Sequence, residues 1–336
     1  VEIMVSLWFA ELTGNDYVSV KPHASPVLHS INYLLGDLDP NYLSMLRQKG
    51  GLQSYPSRTK DPGRVDFSTG SVGIGATATV WAAMSHRYLN DHFPADRPVR
   101  RFVALLGDAE LDEGAIWEAI ADSAVAKLGE LLWVVDLNRQ SLDRIIPDVQ
   151  IHRLQGMFSA AGWQVLICKW GRRVSEIFSR PGGEEFRLRL EDMPNEEYQR
   201  LLRSDPSQLP DRVLGKSAGR EFKALISSLD VDELSLAVRD LGGHDIALLT
   251  ETYREIDPTR PTVLFAYTIK GRGLPTEGHP NNHAARLTGE QMQIFAEVNN
   301  ESLDEPWKGF SDDSPETEMA REASIRLARE TKDHTE

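Results

Sequence analysis

Two short apolar runs with a helix-length segment between them constrain this chain more than any other feature. Phe102-Val103-Ala104-Leu105-Leu106 is a continuous apolar run that stops at Gly107-Asp108, the pattern of a strand buried on both faces. The spacing predicts a helix next. Ile116, Ile120 and Ala124 recur at helical intervals with Trp117 and Ala121 beside them, acidic residues gather at the start, and Lys127 precedes a stop signal at Gly129. Leu131-Leu132-Trp133-Val134-Val135 then reads as a second buried strand. Strand, helix and strand of this length close as a right-handed crossover between parallel strands, so Asp108 and the 136–140 segment leave the sheet at the same, carboxyl-end edge. That edge is where open α/β sheets bind ligands.

Residues 164–168 and 262–268 are further strand candidates, and helical patterns cover 71–89 and 245–256. The expected fold class is α/β, a doubly wound, mainly parallel sheet flanked by helices. Residues 1–300 are expected to form one domain. Within it, 170–242 carries many charges and several Pro or Gly breaks without strand–helix alternation, and reads as a mostly helical excursion. Residues 301–336 are rich in Glu, Lys, Arg and Thr and are expected to form a charged tail or a loosely docked helix. The first nine residues show helix-like apolar periodicity with no cap before it, so further residues are expected upstream of this numbering.

Composition removes several classes of function. With 336 residues, 40% hydrophobic and 26% charged, the chain can bury a sizeable core as one large or two small domains. A formal net charge of −14 argues against binding nucleic acid by phosphate neutralisation, and favours a cation or a basic partner. The single Cys168 excludes an internal disulfide and any multi-cysteine metal site. There is no apolar run of about eighteen residues and no secretory signal pattern, so the expected location is cytoplasmic, with no membrane contact.

The crossover sets Asp108 and Asn138 where a hard, oxygen-preferring cation can sit between them and a ligand's phosphates. Magnesium uses few protein ligands and takes the rest from phosphate and water, so one carboxylate, one amide oxygen and one backbone carbonyl suffice. Read alone, an Asp after a strand is more often a turn residue. The glycines of Thr69-Gly70-Ser71-Val72-Gly73-Ile74-Gly75 can let the backbone pass close to a flat ring, or can serve only helix-start packing. Histidines in polar loops, as at His279 and His283, are usually just solvated, although imidazole is suited to moving protons near neutral pH. His244 reads as structural, since Asp245 after it can cap a helix.

The string Gly107-Asp108-Ala109-Glu110-Leu111-Asp112-Glu113-Gly114, followed by Asp136-Leu137-Asn138-Arg139-Gln140-Ser141-Leu142-Asp143, resembles the thiamin diphosphate motif. Gly50-Gly51-Leu52-Gln53-Ser54-Tyr55-Pro56, the 69–75 segment, Gly242-Gly243-His244-Asp245 and Thr268-Ile269-Lys270-Gly271 extend the match in the same order. Together they resemble the homodimeric type of pyruvate dehydrogenase first component, a relative of transketolase. The resemblance implies a thiamin-diphosphate-binding fold with Mg2+ held by Asp108, Asn138 and the backbone oxygen of Gln140. It sets Ala109 and Glu110 along the diphosphate, with Gly107 and Asp136 among the cofactor-binding residues, and Gly70 and Val72 beside the aminopyrimidine. It implies that His23, in Lys21-Pro22-His23-Ala24-Ser25-Pro26, is an active-site histidine. It also implies that a mobile loop, rooted at Lys270, carries His283 toward substrate, and His279, in the same Gly-rich segment, is a further catalytic candidate. Ala109 departs from the family, which usually has Gly there for close backbone approach to the phosphates.

The family activates the cofactor with a glutamate on a separate pyrimidine-binding domain, which these 336 residues lack. The resemblance therefore implies the diphosphate-binding subunit of a split enzyme, expected to be a heterotetramer whose second subunit carries the pyrimidine-binding domain and the activating glutamate. Its expected reaction is cleavage of a 2-oxo acid such as pyruvate, with transfer of the acyl unit to a lipoyl domain or another thiol acceptor such as acyl carrier protein. The alternatives are a truncated longer enzyme, transketolase-like two-carbon transfer from a ketose phosphate, and a non-catalytic assembly or regulatory subunit. Retention of Asp108, Asn138, His23, Lys270 and His283 together argues against the last of these.

Overall fold

A computed structural model describes residues 1–93, 97–138, 140–141, 144–145, 150–283 and 285–329. Strands β1 (Tyr17–Ser19), β2 (Phe102–Gly107), β3 (Leu131–Leu137), β6 (Gln164–Cys168) and β7 (Thr262–Tyr267) form one sheet in the order β1-β2-β3-β7-β6, and β4 (Gln140–Ser141) pairs with β5 (Arg144–Ile145) as a small hairpin. Every pairing in the large sheet is parallel. The helices are α1 (Glu2–Ser6), α2 (Ser25–Leu34), α3 (Ile74–His92), α4 (Gly114–Ala121) and α5 (Gln150–Ala160). Next come α6 (Arg172–Phe178), α7 (Gly183–Glu191), α8 (Asn195–Leu202), α9 (Leu209–Leu214), α10 (Arg220–Ser228) and α11 (Val231–Val238). The last are α12 (Ile246–Tyr253), α13 (Gly289–Val298) and α14 (Pro315–Leu327).

Strand side chains alternate between two cores, which makes the sheet doubly wound. Val103, Leu105, Leu132, Val134 and Leu264 face one core, covered by α1, α2, α12 and α14. Phe102, Ala104, Leu106, Trp133 and Phe265 face the other, covered by α3, α4 and α5. Because both faces are buried, β2, β3 and β7 each carry a continuous apolar run, broken in β3 only at Asp136 near its carboxyl end, and this is why the sequence pattern found them. Trp133 is fully buried and still satisfied, its indole N–H donating to Thr79 Oγ1 at 3.1 Å.

Local chemistry shifts several boundaries from their sequence-based positions. The helix after β2 ends at Ala121 and leaves Ala124 outside. Asp122 turns extended, with ψ of 121°, and its side chain accepts the Ala124 N–H. The 71–89 helix begins at Ile74, because Ser71 and Gly73 take positive φ values of 56° and 75°. Asp245 caps α12 by accepting the Leu248 N–H at 3.0 Å. The edge strand β1 escapes sequence reading, since three residues are too few to show a period.

Helices α6–α11 fill the 170–242 region and build a third core around Phe186, Tyr198, Phe222 and Val238. The last helix, α14, lies against the first residues of the chain. Arg326 donates to the Leu12 and Trp8 carbonyls, Arg329 pairs with Asp66 at 2.7 Å, and Ala323 and Leu327 join the first core. No helix among the described residues is long and apolar enough to cross a membrane.

Candidate active site

The site forms where β1, β2, β3 and β7 end together at the carboxyl edge. Gly107 pairs with Asp136 across β2 and β3, so Asp108 and Asn138 lie just past adjoining strand tips, and both are buried. Asp108 Oδ1 accepts the Ala109 N–H at 2.9 Å. The backbone at Gln140 opens β4, which lies against the Asp108–Asp112 turn. Arg139, Leu142 and Asp143 of the second motif lie outside the described residues.

Strand alternation sorts the residues at these tips into two sets. Leu137, between Asp136 and Asn138, is packed in the core of the helical excursion. So are Tyr267 and Ile269, which flank Thr268 and precede Lys270. The excursion thus holds β3 and β7 from behind while their polar neighbours serve the opposite side.

Lys21, just past β1, reaches across to Asp136, with Nζ 2.6 Å from Oδ2. Thr268 donates its hydroxyl to Oδ1 of the same carboxylate. Burial alone would push Asp136 up, but Lys21 and the Thr268 hydroxyl hold it at about 2. Burial would likewise lower Lys21, yet Asp136, with Asp108 and Glu110 nearby, keeps its ammonium above the ordinary lysine value. Gly107 leaves room for this arrangement, because a Cβ there would stand 3.1 Å from Lys21 Nζ. Glu110 turns back beneath the motif. Its carboxylate accepts the Gly107 N–H at 3.0 Å and a backbone bond from Gly73, while burial pushes its pKa up. Glu110 therefore ties the Asp108 turn to the 69–75 segment, where Gly70 is partly buried and Val72 is exposed.

A second group sits beside the first. His23 lies with its ring 5.4 Å from His283 and 5.6 Å from Tyr55, both edge-on. Lys270 Nζ is 3.2 Å from His283 Nδ1. An ammonium can only donate, so Nδ1 accepts and a neutral His283 carries its proton on Nε2. Burial, together with the positive charges of Lys21, Lys270 and Arg47 and of His283 whenever it is protonated, lowers the His23 pKa and favours its neutral form. The loop from Lys270 to His283 closes on itself: Asn282 donates to the Lys270 carbonyl at 3.0 Å, and Glu277 accepts from Gly273 N–H and from Arg239. His279 stays exposed in a local turn, its Nδ1 accepting the Asn281 N–H. His244 is structural in its contacts, since Nε2 accepts the Ile269 N–H at 2.8 Å.

Sequence reading brought out Asp108, Asn138, Asp136, His23, Lys270 and His283, and the fold gathers all six at one edge. It missed Lys21, Tyr55 and Thr268. Lys21 and Thr268 each lie two positions before a singled-out residue, a spacing that in extended chain keeps side chains on one side.

Residues 13–179 match the family described as transketolase, thiamine diphosphate binding domain. The chain carries a transketolase-type thiamin-diphosphate-binding domain. This domain is also similar to the pyruvate dehydrogenase E1 component of Cupriavidus necator, with 28% identity across 95% of this chain and 37% of that protein. The corresponding protein of Mycolicibacterium smegmatis is 30% identical across 85% of this chain and 32% of its own length. Among solved structures, transketolase from Campylobacter jejuni superposes with a TM-score of 0.64 at 18% identity, covering 97% of this chain and 41% of that one. Transketolase from Leishmania mexicana gives 0.63 at 18% identity. The thiamin-diphosphate-binding domain described here thus spans about a third of the length of the curated relatives it matches.

The donor set suits a divalent cation with a diphosphate. Among the described residues no three His, Cys, Asp or Glu side chains are arranged to hold a metal by themselves. Asp136 is held by Lys21 and Thr268, and the candidate oxygen donors are Asp108, Asn138 and the backbone at 140. That set is poor in charge, and matches a cation that completes its shell with phosphate and water.

Proposed function

We propose that the domain binds thiamin diphosphate with Mg2+ on Asp108, Asn138 and the Gln140 carbonyl, and serves cleavage of a 2-oxo acid such as pyruvate. The observation that carries this reading is the meeting of the Asp108 and Asn138 tips with the His23–His283–Lys270 group on one sheet edge. The bound cofactor supplies a carbon nucleophile for attack on a ketone carbonyl. The chain's own residues bind and manage protons. Lys270 fixes the His283 tautomer and orients Nε2–H as a donor toward developing negative charge. His23, favoured as neutral, is suited to accept a proton. The preference for a 2-oxo acid draws on the relatives named pyruvate dehydrogenase E1 component, while the transketolase structures, at 18% identity, speak to fold alone.

The activating glutamate belongs to a pyrimidine-binding domain, supplied by a further stretch of polypeptide or by a second subunit of a heterotetramer. Val72, Ile74, Trp81 and Tyr88 are all exposed, and run from the cofactor segment along α3 as an apolar stripe. That stripe supports a covering domain beside the pyrimidine end of the site. The acceptor in this reading is a lipoyl or other thiol carrier. Calorimetric titration of the full protein with thiamin diphosphate and Mg2+ tests the site, and absence of binding defeats it. Release of carbon dioxide from pyruvate, set against consumption of a ketose phosphate, tests the substrate class.

A further inference from the structure

We propose that Lys21 withholds Asp136 from divalent cations, so that the site takes up a cation only together with its phosphate-bearing cofactor. This rests on the reading of the edge as a Mg2+–diphosphate site. Three carboxylates, Asp108, Glu110 and Asp136, meet near the ends of β2 and β3, and the Lys21 ammonium faces all three. Without that ammonium, Asp136 would add a second carboxylate beside the Asp108 and Asn138 oxygens, and with it more of the negative charge that attracts a bare divalent ion.

Glu110 and Asp136 are held in different ways. Glu110 is bonded to the Gly107 N–H beneath the turn. Asp136 has Lys21 on one oxygen at 2.6 Å and the Thr268 hydroxyl on the other. A divalent ion approaching Asp136 would come up against the ammonium, and like-charge repulsion in a partly buried site opposes it. Asp108 and the Asn138 amide then offer a single negative charge, too little to strip water from a bare ion, and the cofactor's phosphates supply the remainder. Gly107 preserves this state, since any side chain there would crowd Lys21 Cε and Nζ at 3.1 Å. Lys21 is thus a positioning residue: it holds Asp136 in place and keeps the cation and the diphosphate arriving as one unit.

The test is titration of the full protein with Mn2+ alone, followed by electron paramagnetic resonance. Lys21→Gln should bind bare Mn2+ on the order of tenfold more tightly than the unaltered protein, because a nearby positive charge is gone. Lys21→Arg, which keeps the charge, should stay close to the unaltered protein. Asp136→Asn alone leaves the Lys21 charge uncompensated and should weaken bare Mn2+ binding, whereas Lys21→Gln combined with Asp136→Asn should return it to the starting value. Unaltered affinity in a folded Lys21→Gln protein overturns the inference. So does bare-ion binding in Asp136→Asn that is tighter than in the unaltered protein, a result that does not depend on the Lys21 variant folding. A parallel titration with thiamin diphosphate and Mg2+ separates the two readings. No cofactor binding by the unaltered protein defeats the site assignment, whereas normal cofactor binding with unchanged Mn2+ affinity in Lys21→Gln defeats only the role of Lys21.

Discussion

The sheet edge and the helical excursion are both dense in charge, yet they use it in opposite ways. In the excursion, Arg187 pairs with Glu184 and Glu191 along α7, and the apolar core beneath, around Phe186 and Phe222, does the holding. At the edge, Lys21 and Asp136 are mostly shielded from solvent and pair at 2.6 Å across the ends of two strands, next to Asp108 and Asn138. The two regions are joined through single residues. Leu137 and Ile269 sit in the excursion core while Asp136, Asn138, Thr268 and Lys270 beside them line the site. The charged pairs of both regions are part-buried, and what differs is their setting: along one helix over an apolar core in the excursion, and across two strand ends beside the candidate site at the edge.

Perturbing the shared residues should break this comparison most visibly. Ile269→Ala should cost about 2–5 kcal/mol of stability, measured by denaturant unfolding, because Ile269 is only 4% exposed. It should also weaken cofactor binding although its side chain faces away; unchanged affinity would reduce the excursion to a separate scaffold. Asp108→Ala should lower thiamin diphosphate affinity more than about a hundredfold, beyond the usual effect of an outer-shell partner, while the melting temperature holds steady. Calorimetry checks both halves.

Asp136 gives a pH test on the site side. Its folded pKa of about 2 lies below the ordinary 3.8, so its stabilisation is fully present above about pH 4 and is lost as pH falls toward 2. The loss should amount to about 2 kcal/mol, and acid unfolding of Asp136→Asn should lack that component. A smaller effect is expected at His23. Burial comes first among the causes of its lowered pKa and cannot be removed, but Lys270→Met takes away one repelling charge and should move its midpoint upward by NMR titration. A downward movement would break the link between the two groups. Arg187→Ala is the control on the excursion side, and its melting temperature should not change measurably.

Much of the fold was legible for one physical reason. Strands buried on both faces are apolar along most of their length, so β2, β3 and β7 stand out as runs, and the crossover rule then puts Asp108 and Asn138 on one edge. Helix ends were read less well. Asp122 looks like an ordinary helix residue until its side chain is seen to cap Ala124. The partner of Asp136 was not legible, since a lysine before a proline reads as a solvated turn residue. Lys21 and Asp136 are separated by 115 positions, and nothing local to either records the other.

The sequence by itself determined the parallel strands, the crossover and the acidic and amide oxygens at its two tips, because these follow from apolar periodicity and from handedness that every L-chain shares. Only the tertiary structure decided that β1 borders β2, which brings Lys21 to Asp136 and His23 to His283. It alone decided, too, that the excursion grips Leu137 and Ile269 from behind. Those contacts depend on which distant segments share an edge, and that choice is settled by packing the whole chain at once rather than by any local pattern.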